Sequence, residues 1–281
     1  MRTALLAAAL LLTAGQTPRP AYEVTSVKPN TSGTFLVMIR NPPGRFSATN
    51  ITFRMLLRSA YNLPDFRMIG GPSWMETDRF DVEATAGQTS GPGSAAESRL
   101  MQQALLADRF KLRAHMETRD QPIYLLTIVR RDGKLGDRIK LAGNECLPIT
   151  PPAGFPPPPP PPPGGAPRDG PGCPSLFGTG NGAISGRKLS IDRLASTLSP
   201  SVNRVIVDRT NLSGLYDLDL RWVPDLVPNA AGPGVPPPPV GDPNAPPLFT
   251  ALQEQLGLKL DSSRGPVDVL VIDGVEKPSA D

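Results

Sequence analysis

Apolar and polar positions along this chain follow two periods, and the switches between them mark its elements. From Tyr22-Glu23-Val24-Thr25-Ser26-Val27 the pattern alternates in steps of two, as a strand does, until Lys28-Pro29-Asn30 stops it. A second strand is predicted over 34–40, ending at the turn Asn41-Pro42-Pro43-Gly44, and a third starts at Phe46-Ser47-Ala48-Thr49. The period then changes. Thr52 stands where an N-cap belongs, and Met55, Leu56, Ser59 and Ala60 fall on one helical face before Pro64 ends it. A short strand at 66–69 and the turn Gly70-Gly71-Pro72 follow, then a strand in which Phe80 and Val82 alternate with Asp81 and Glu83. A helix over 95–107 and a hairpin pairing 110–117 with 123–130 complete this stretch.

The same succession returns downstream. Ala183-Ile184-Ser185-Gly186-Arg187-Lys188-Leu189-Ser190 echoes Arg45-Phe46-Ser47-Ala48-Thr49-Asn50-Ile51-Thr52, and Ser190 takes the capping place of Thr52. Ile191, Leu194, Ala195 and Leu198 supply the apolar face, and Pro200 closes the helix. Strands at 205–207 and 216–222, a helix at 249–256 and a closing pair, 258–260 with 267–272, finish the second copy. This self-similarity predicts an α+β fold of two related strand-helix-strand-strand-helix-strand-strand units, helices packed on mainly antiparallel sheet. The expected boundaries are a lead at 1–19, a first lobe at 20–141, a Pro/Gly-rich linker at 142–182 and a second lobe at 183–281. Proteolysis in that linker, followed by reduction, is expected to release two stable fragments.

Composition adds a compartment. Arg2, the apolar run from Ala4 to Leu12 and the small residues Thr13-Ala14-Gly15 have the layout of a secretory signal peptide, cleaved near Gly15 or Gln16. The run falls short of the roughly 20 apolar residues that cross a bilayer. The expected product is therefore exported, periplasmic or extracellular, with no transmembrane segment after cleavage. Cys146 and Cys173 flank the main proline tract, and in an oxidising compartment they predict one disulfide. A zinc cage fails on ligand supply, because the chain has two cysteines and one histidine. Net charge is only +3, with basic residues scattered, so nothing calls for nucleic acid as a partner. The eight prolines from Pro156 to Pro163 read as a solvated, extended spacer.

Candidate chemistry is thin. The lone His115 lies in a strand-like run, without the glycine-flanked serine or the paired histidines that hydrolases and metalloproteases need. Asp81 with Glu83, and Asp217 with Asp219, place two carboxylates on one strand face, and paired carboxylates could serve glycoside hydrolysis, where their separation sets the mechanism. They recur at equivalent places in both copies, which a half-exposed sheet explains without chemistry. The densest polar cluster, Val207-Asp208-Arg209-Thr210-Asn211, suits a corner between strands, and Trp74 holds the comparable corner of the first copy. Trp74, Asp208, Arg209 and Thr210 are the candidate partner-binding residues. No catalytic residue, metal site or cofactor is assigned.

Several stretches together resemble a known family: Tyr22 to Asn30, Gly70-Gly71-Pro72-Ser73-Trp74 with Asp78-Arg79-Phe80-Asp81-Val82, and Leu106-Ala107-Asp108-Arg109-Phe110-Lys111-Leu112. So do Val207-Asp208-Arg209-Thr210 with Gly214-Leu215-Tyr216-Asp217, and Leu252-Gln253-Glu254-Gln255-Leu256-Gly257-Leu258-Lys259-Leu260. The family is one of secreted proteins of unknown function expanded in soil Acidobacteria of the Solibacter type. Its domain is sometimes fused to BlaR-type membrane metallopeptidases, which implies an extracytoplasmic sensory or interaction role. This chain lacks the peptidase's zinc motif, so that activity does not transfer. The repeat unit also resembles, more loosely, the small periplasmic interaction domains of secretins and TonB-dependent transporters. The expectation is a monomeric, non-enzymatic binding or sensory module for a protein or envelope component. The alternatives are an extracytoplasmic hydrolase using Asp208, Asp217 or His115, and a passive envelope scaffold.

Overall fold

The computed structural model describes residues 20–34, 36–87, 94–143, 175–177, 182–224 and 244–278. Among them the chain runs β1 (Val24–Pro29), β2 (Met38–Arg40), β3 (Arg45–Thr52), α1 (Phe53–Tyr61), β4 (Met68–Ile69), α2 (Trp74–Thr77), β5 (Arg79–Thr85) and α3 (Ala95–Arg109). It continues through β6 (Arg113–Ile128), β7 (Ile139–Leu141), β8 (Ser175–Phe177), β9 (Ala183–Leu189), α4 (Ile191–Leu198), β10 (Ile206–Asp208), β11 (Tyr216–Arg221), α5 (Leu248–Ala251) and β12 (Leu258–Gly274). The fold is α+β, with helices and both mixed and antiparallel sheets. It divides into two compact units, one within residues 1–63, 70–114 and 272–281, the other within 64–69 and 115–271. Those units differ from a split into 20–141 and 183–281, because the second draws strands from both sides of the proline-rich segment. The predicted leader, Cys146, Cys173 and the proline tract Pro156 to Pro163 lie outside the described residues.

In the first unit an antiparallel sheet has the order β1-β5-β3-β2. Phe80, Val82 and Ala84 of β5 are buried while Asp81 and Glu83 point the other way, the alternation that a one-sided sheet imposes. Thr52 caps α1 by accepting from the Met55 N–H at 3.3 Å, and Phe53, Leu56, Leu57 and Ala60 form the buried face. Gln102 of α3 is buried, and its Oε1 accepts from the Ser59 hydroxyl of α1 at 2.6 Å. The rings of Phe53, Phe80 and Phe110 meet at 4.7 and 5.4 Å and join helix ends to strand. Truncating one such buried ring typically costs about 3–5 kcal/mol.

The second unit holds two sheets, β7-β11-β9-β8, antiparallel throughout, and β10-β6-β12-β4. In the latter, β10 runs parallel to β6, and β4 parallel to β12. Side-chain bonds between the long strands pair Thr118 with Asp268, Asp120 with Arg264 and Thr127 with Asp261, so β6 and β12 run antiparallel. Here the predicted hairpins are corrected. Residues 110–130 do not turn back on themselves; Arg113–Ile128 is one strand of 16 residues. The second closing pair is likewise one strand of 17 residues, Leu258–Gly274. Each long strand finds its ladder partner in the other, so neither needs a local turn, and Pro122 and Pro266 sit inside them without breaking them.

Ser190 caps α4 through the Arg193 N–H at 3.2 Å, and Ile191, Leu194, Ala195 and Leu198 enter a core shared with Leu218, Leu220, Leu252 and Leu256. A second, smaller cluster of Ile123, Val267 and Val269, backed by Val205 and Val207, occupies the sheet β10-β6-β12-β4. The short β7 and β8 and the one-turn α2 had no periodicity long enough to predict them. The expected 249–256 helix is α5 followed by a wide π turn, Leu252–Leu256.

Candidate binding site

The corner containing Asp208 is built by its own side chains. One Asp208 carboxylate oxygen accepts from the Thr210 N–H at 2.8 Å and from the Thr210 hydroxyl at 2.7 Å. The Thr210 hydroxyl oxygen in turn accepts from the Leu212 N–H at 3.2 Å. Thr210 is buried, and the Arg209 backbone N–H joins the ladder by donating to the Leu126 carbonyl at 2.9 Å. Of the three, only Arg209 presents an exposed side chain.

Trp74 is half-buried at the start of α2. Its ring lies 5.5 Å from Phe53 and 6.3 Å from Phe80. The Lys277 ammonium stands 5.8 Å from the indole and bonds Asp78 at 2.7 Å. That hydrogen bond holds the Asp78 carboxyl below its ordinary range. Trp74 thus packs on the core, and Asp208, Arg209 and Thr210 sit in the other compact unit.

The remaining predicted residues have separate local partners. Asp81 accepts from Asn30 at 2.7 Å and from the Asn50 N–H at 2.9 Å. Asp217 accepts from the Lys188 N–H at 2.9 Å and faces Arg187 at 3.6 Å. Asp219 takes bonds from Ser185, Arg138 and Arg221. His115 is exposed, 3.8 Å from Glu117, whose carboxyl is held low chiefly by its hydrogen bond from Arg119. Among the described residues no group of three or more metal-ligating side chains gathers, and no helix is long and apolar enough to cross a membrane.

Two surfaces stand out instead. The first is β2, the edge of its sheet, where Met38 and Ile39 are 44% and 46% exposed, with Leu36 just ahead of it 69% exposed. Edge strands usually carry charge or a covering element to prevent pairing with another chain, and an apolar edge is a docking template. The Asn50 carboxamide holds the approach to β2 by donating to the Thr34 and Leu36 carbonyls at 2.7 and 3.2 Å. The second is a cleft of about 190 Å³ in the unit containing β6 and β12, lined by Phe66, Gln121, Pro122, Asn203, Arg204, Val205 and Val267. Its lining comes from segments leading into β4 and β10 and from both long strands.

Residues 54–275 match the model of a family described as a protein of unknown function, DUF3738. The chain belongs to this family. No curated protein and no solved structure matches it. In this DUF3738 chain the whole cleft falls inside the matched residues, while the apolar edge β2 precedes them. Sequence reading passed over every cleft residue. Phe66 and Arg204 carry no local motif, and only the exchange of short strands between β6 and β12 brings them together.

Proposed function

We propose that the mature protein is exported and acts as a non-enzymatic binding module, recognising a protein or envelope component by adding an extended segment of it to the edge of β2. The observation that carries this reading is the exposure of Met38 and Ile39, with Leu36 just ahead of them, on a strand whose outer edge bears no neighbouring strand among the described residues. Main-chain hydrogen bonds would supply affinity and the apolar side chains selectivity. The signal-like N-terminus supports export, and the recurrence of the strand and helix signals supports two duplicated halves. The hydrolase reading has less behind it, since Asp208, Asp217 and His115 are each engaged with different structural partners.

The test places a photo-crosslinking residue at position 39 in the native host, with Leu215, 45% exposed in the other unit, as control site. A discrete adduct at 39, absent at 215 and lost when Met38→Lys adds charge to the edge, is expected. Equal, diffuse labelling at both sites would sink strand addition and leave the passive scaffold.

A further inference from the structure

The cleft is a different proposition from the β2 edge and stands without it. Asn203, in a left-handed conformation at φ 49°, ends the 3-10 turn Ser199–Val202 and turns Arg204 and Val205 into position ahead of β10. The Arg204 guanidinium then lies over the Tyr124 ring at 5.0 Å, and that ring is braced edge-on by Phe249 at 5.4 Å. Stacking fixes the plane of the cation but uses none of its N–H donors. Among the described residues no carboxylate or carbonyl accepts from that guanidinium. The side-chain amides of Gln121 and Asn203, in the same lining, likewise have no protein partner among the described residues. The nearby Asp268 carboxylate is turned to Thr118 at 2.6 Å. The rest of the lining is apolar: Val267, which is buried, with Phe66, Pro122 and Val205.

We propose that this cleft binds a carboxylate carried next to an apolar group, the carboxylate on Arg204 with Gln121 and Asn203, the apolar group on Phe66, Val205 and Val267. A planar guanidinium with flanking amides matches a planar monoanion. Phosphate recognition uses either several cations or a helix N-terminus, and the lining has one cation and no lysine. Size narrows the class further. Pockets for whole small molecules begin at about 300 Å³, so the 190 Å³ here suits one residue of a peptide, not a cofactor. The carboxylate can come from a chain terminus or from an acidic side chain.

The experiment titrates the isotope-labelled mature chain with three probes, followed by NMR on the side-chain signals of Gln121, Asn203 and Arg204. The probes are acetyl-Val-Leu as the free acid, the same dipeptide as its amide, and acetyl-Val-Glu amide. The free acid or the glutamate peptide should move all three signals, with the neutral amide at least about tenfold weaker. Which charged probe binds better names the source of the carboxylate. Arg204→Gln should erase the preference for charge and Arg204→Lys should keep part of it. Acid and amide moving the signals alike, or neither moving them at millimolar concentration, would overturn the proposal. That comparison uses the unaltered chain, so it holds even if a variant misfolds.

Discussion

At the scale of single residues, Asp81 and Asp217 do the same work in two sheets. In β3 two residues, Thr49 and Asn50, stand opposite Asp81; in β9 Arg187 and Lys188 stand opposite Asp217. The second of each pair is left-handed, at φ 58° and 50°, so its N–H leaves the ladder and is met by the carboxylate. A hydrogen bond to a charged acceptor contributes about 1.5–3 kcal/mol. Asp217→Ala should therefore lower stability in urea unfolding by about 2 kcal/mol. Asp217→Asn should cost less, since its carboxamide oxygen still accepts. Equal losses would instead assign the effect to the ion pair with Arg187. A second contrast concerns the ends of helices. Lys111, at φ 48° after α3, and Gly257, at φ 69° after the π turn, occupy the left-handed position that closes a helix. Lys111→Gly should stabilise by about 0.5–1 kcal/mol, because it loses only an exposed ion pair with the Asp108 carboxylate and an exposed bond from its ammonium to the Asp108 carbonyl. Gly257→Ala should destabilise by more than 1–2 kcal/mol, roughly the left-handed penalty alone. Its added Cβ would also fall 2.8 Å from the Gly136 nitrogen. Thermal unfolding of both variants checks the signs.

At the scale of elements, β10 is three residues long and is held from α4 as much as from β6. The buried Ser199 hydroxyl donates to the Ala195 carbonyl at 2.9 Å and accepts from the Ile206 N–H at 3.1 Å. Ser199→Ala leaves that amide without a partner, a loss of about 1–3 kcal/mol for a buried donor. Hydrogen exchange should report it first at Ile206, before any change at Leu126 near the end of β6. Simultaneous loss of protection at both would mean that β10 and β6 open as one piece. What was legible in the sequence follows the same division between near and far. The caps at Thr52 and Ser190, the apolar faces of α1 and α4 and the alternation in β5 depend on neighbours within a few positions. The long strands were misread because turn-like residues around Pro122 and Pro266 were judged locally. Their bonds, such as Arg264 to Asp120 and Thr118 to Asp268, span 144 and 150 positions. The cleft was illegible for that reason too, since its walls exist only after those strands have paired.

At the scale of the whole molecule, the compact unit within 64–69 and 115–271 decides what a cut in the proline-rich segment can do. A piece ending at residue 141 carries β6 and β7, and a piece starting at 183 carries their partners β10, β11 and β12. Each piece alone leaves a 16- or 17-residue strand with its apolar residues and ladder groups unpaired, a loss no local hairpin repairs. The pieces are therefore expected to stay associated after the cut. Engineered cleavage at a protease site placed at residue 160, with reduction of any disulfide, should leave the pieces co-eluting on size exclusion in native buffer, with α+β circular dichroism retained. The piece after the cut should lack cooperative unfolding when expressed alone, and adding the piece before it should restore it. That piece melting cooperatively alone would restore the linear division at the linker and place the antiparallel pairing of β6 with β12 second to contacts inside the second half.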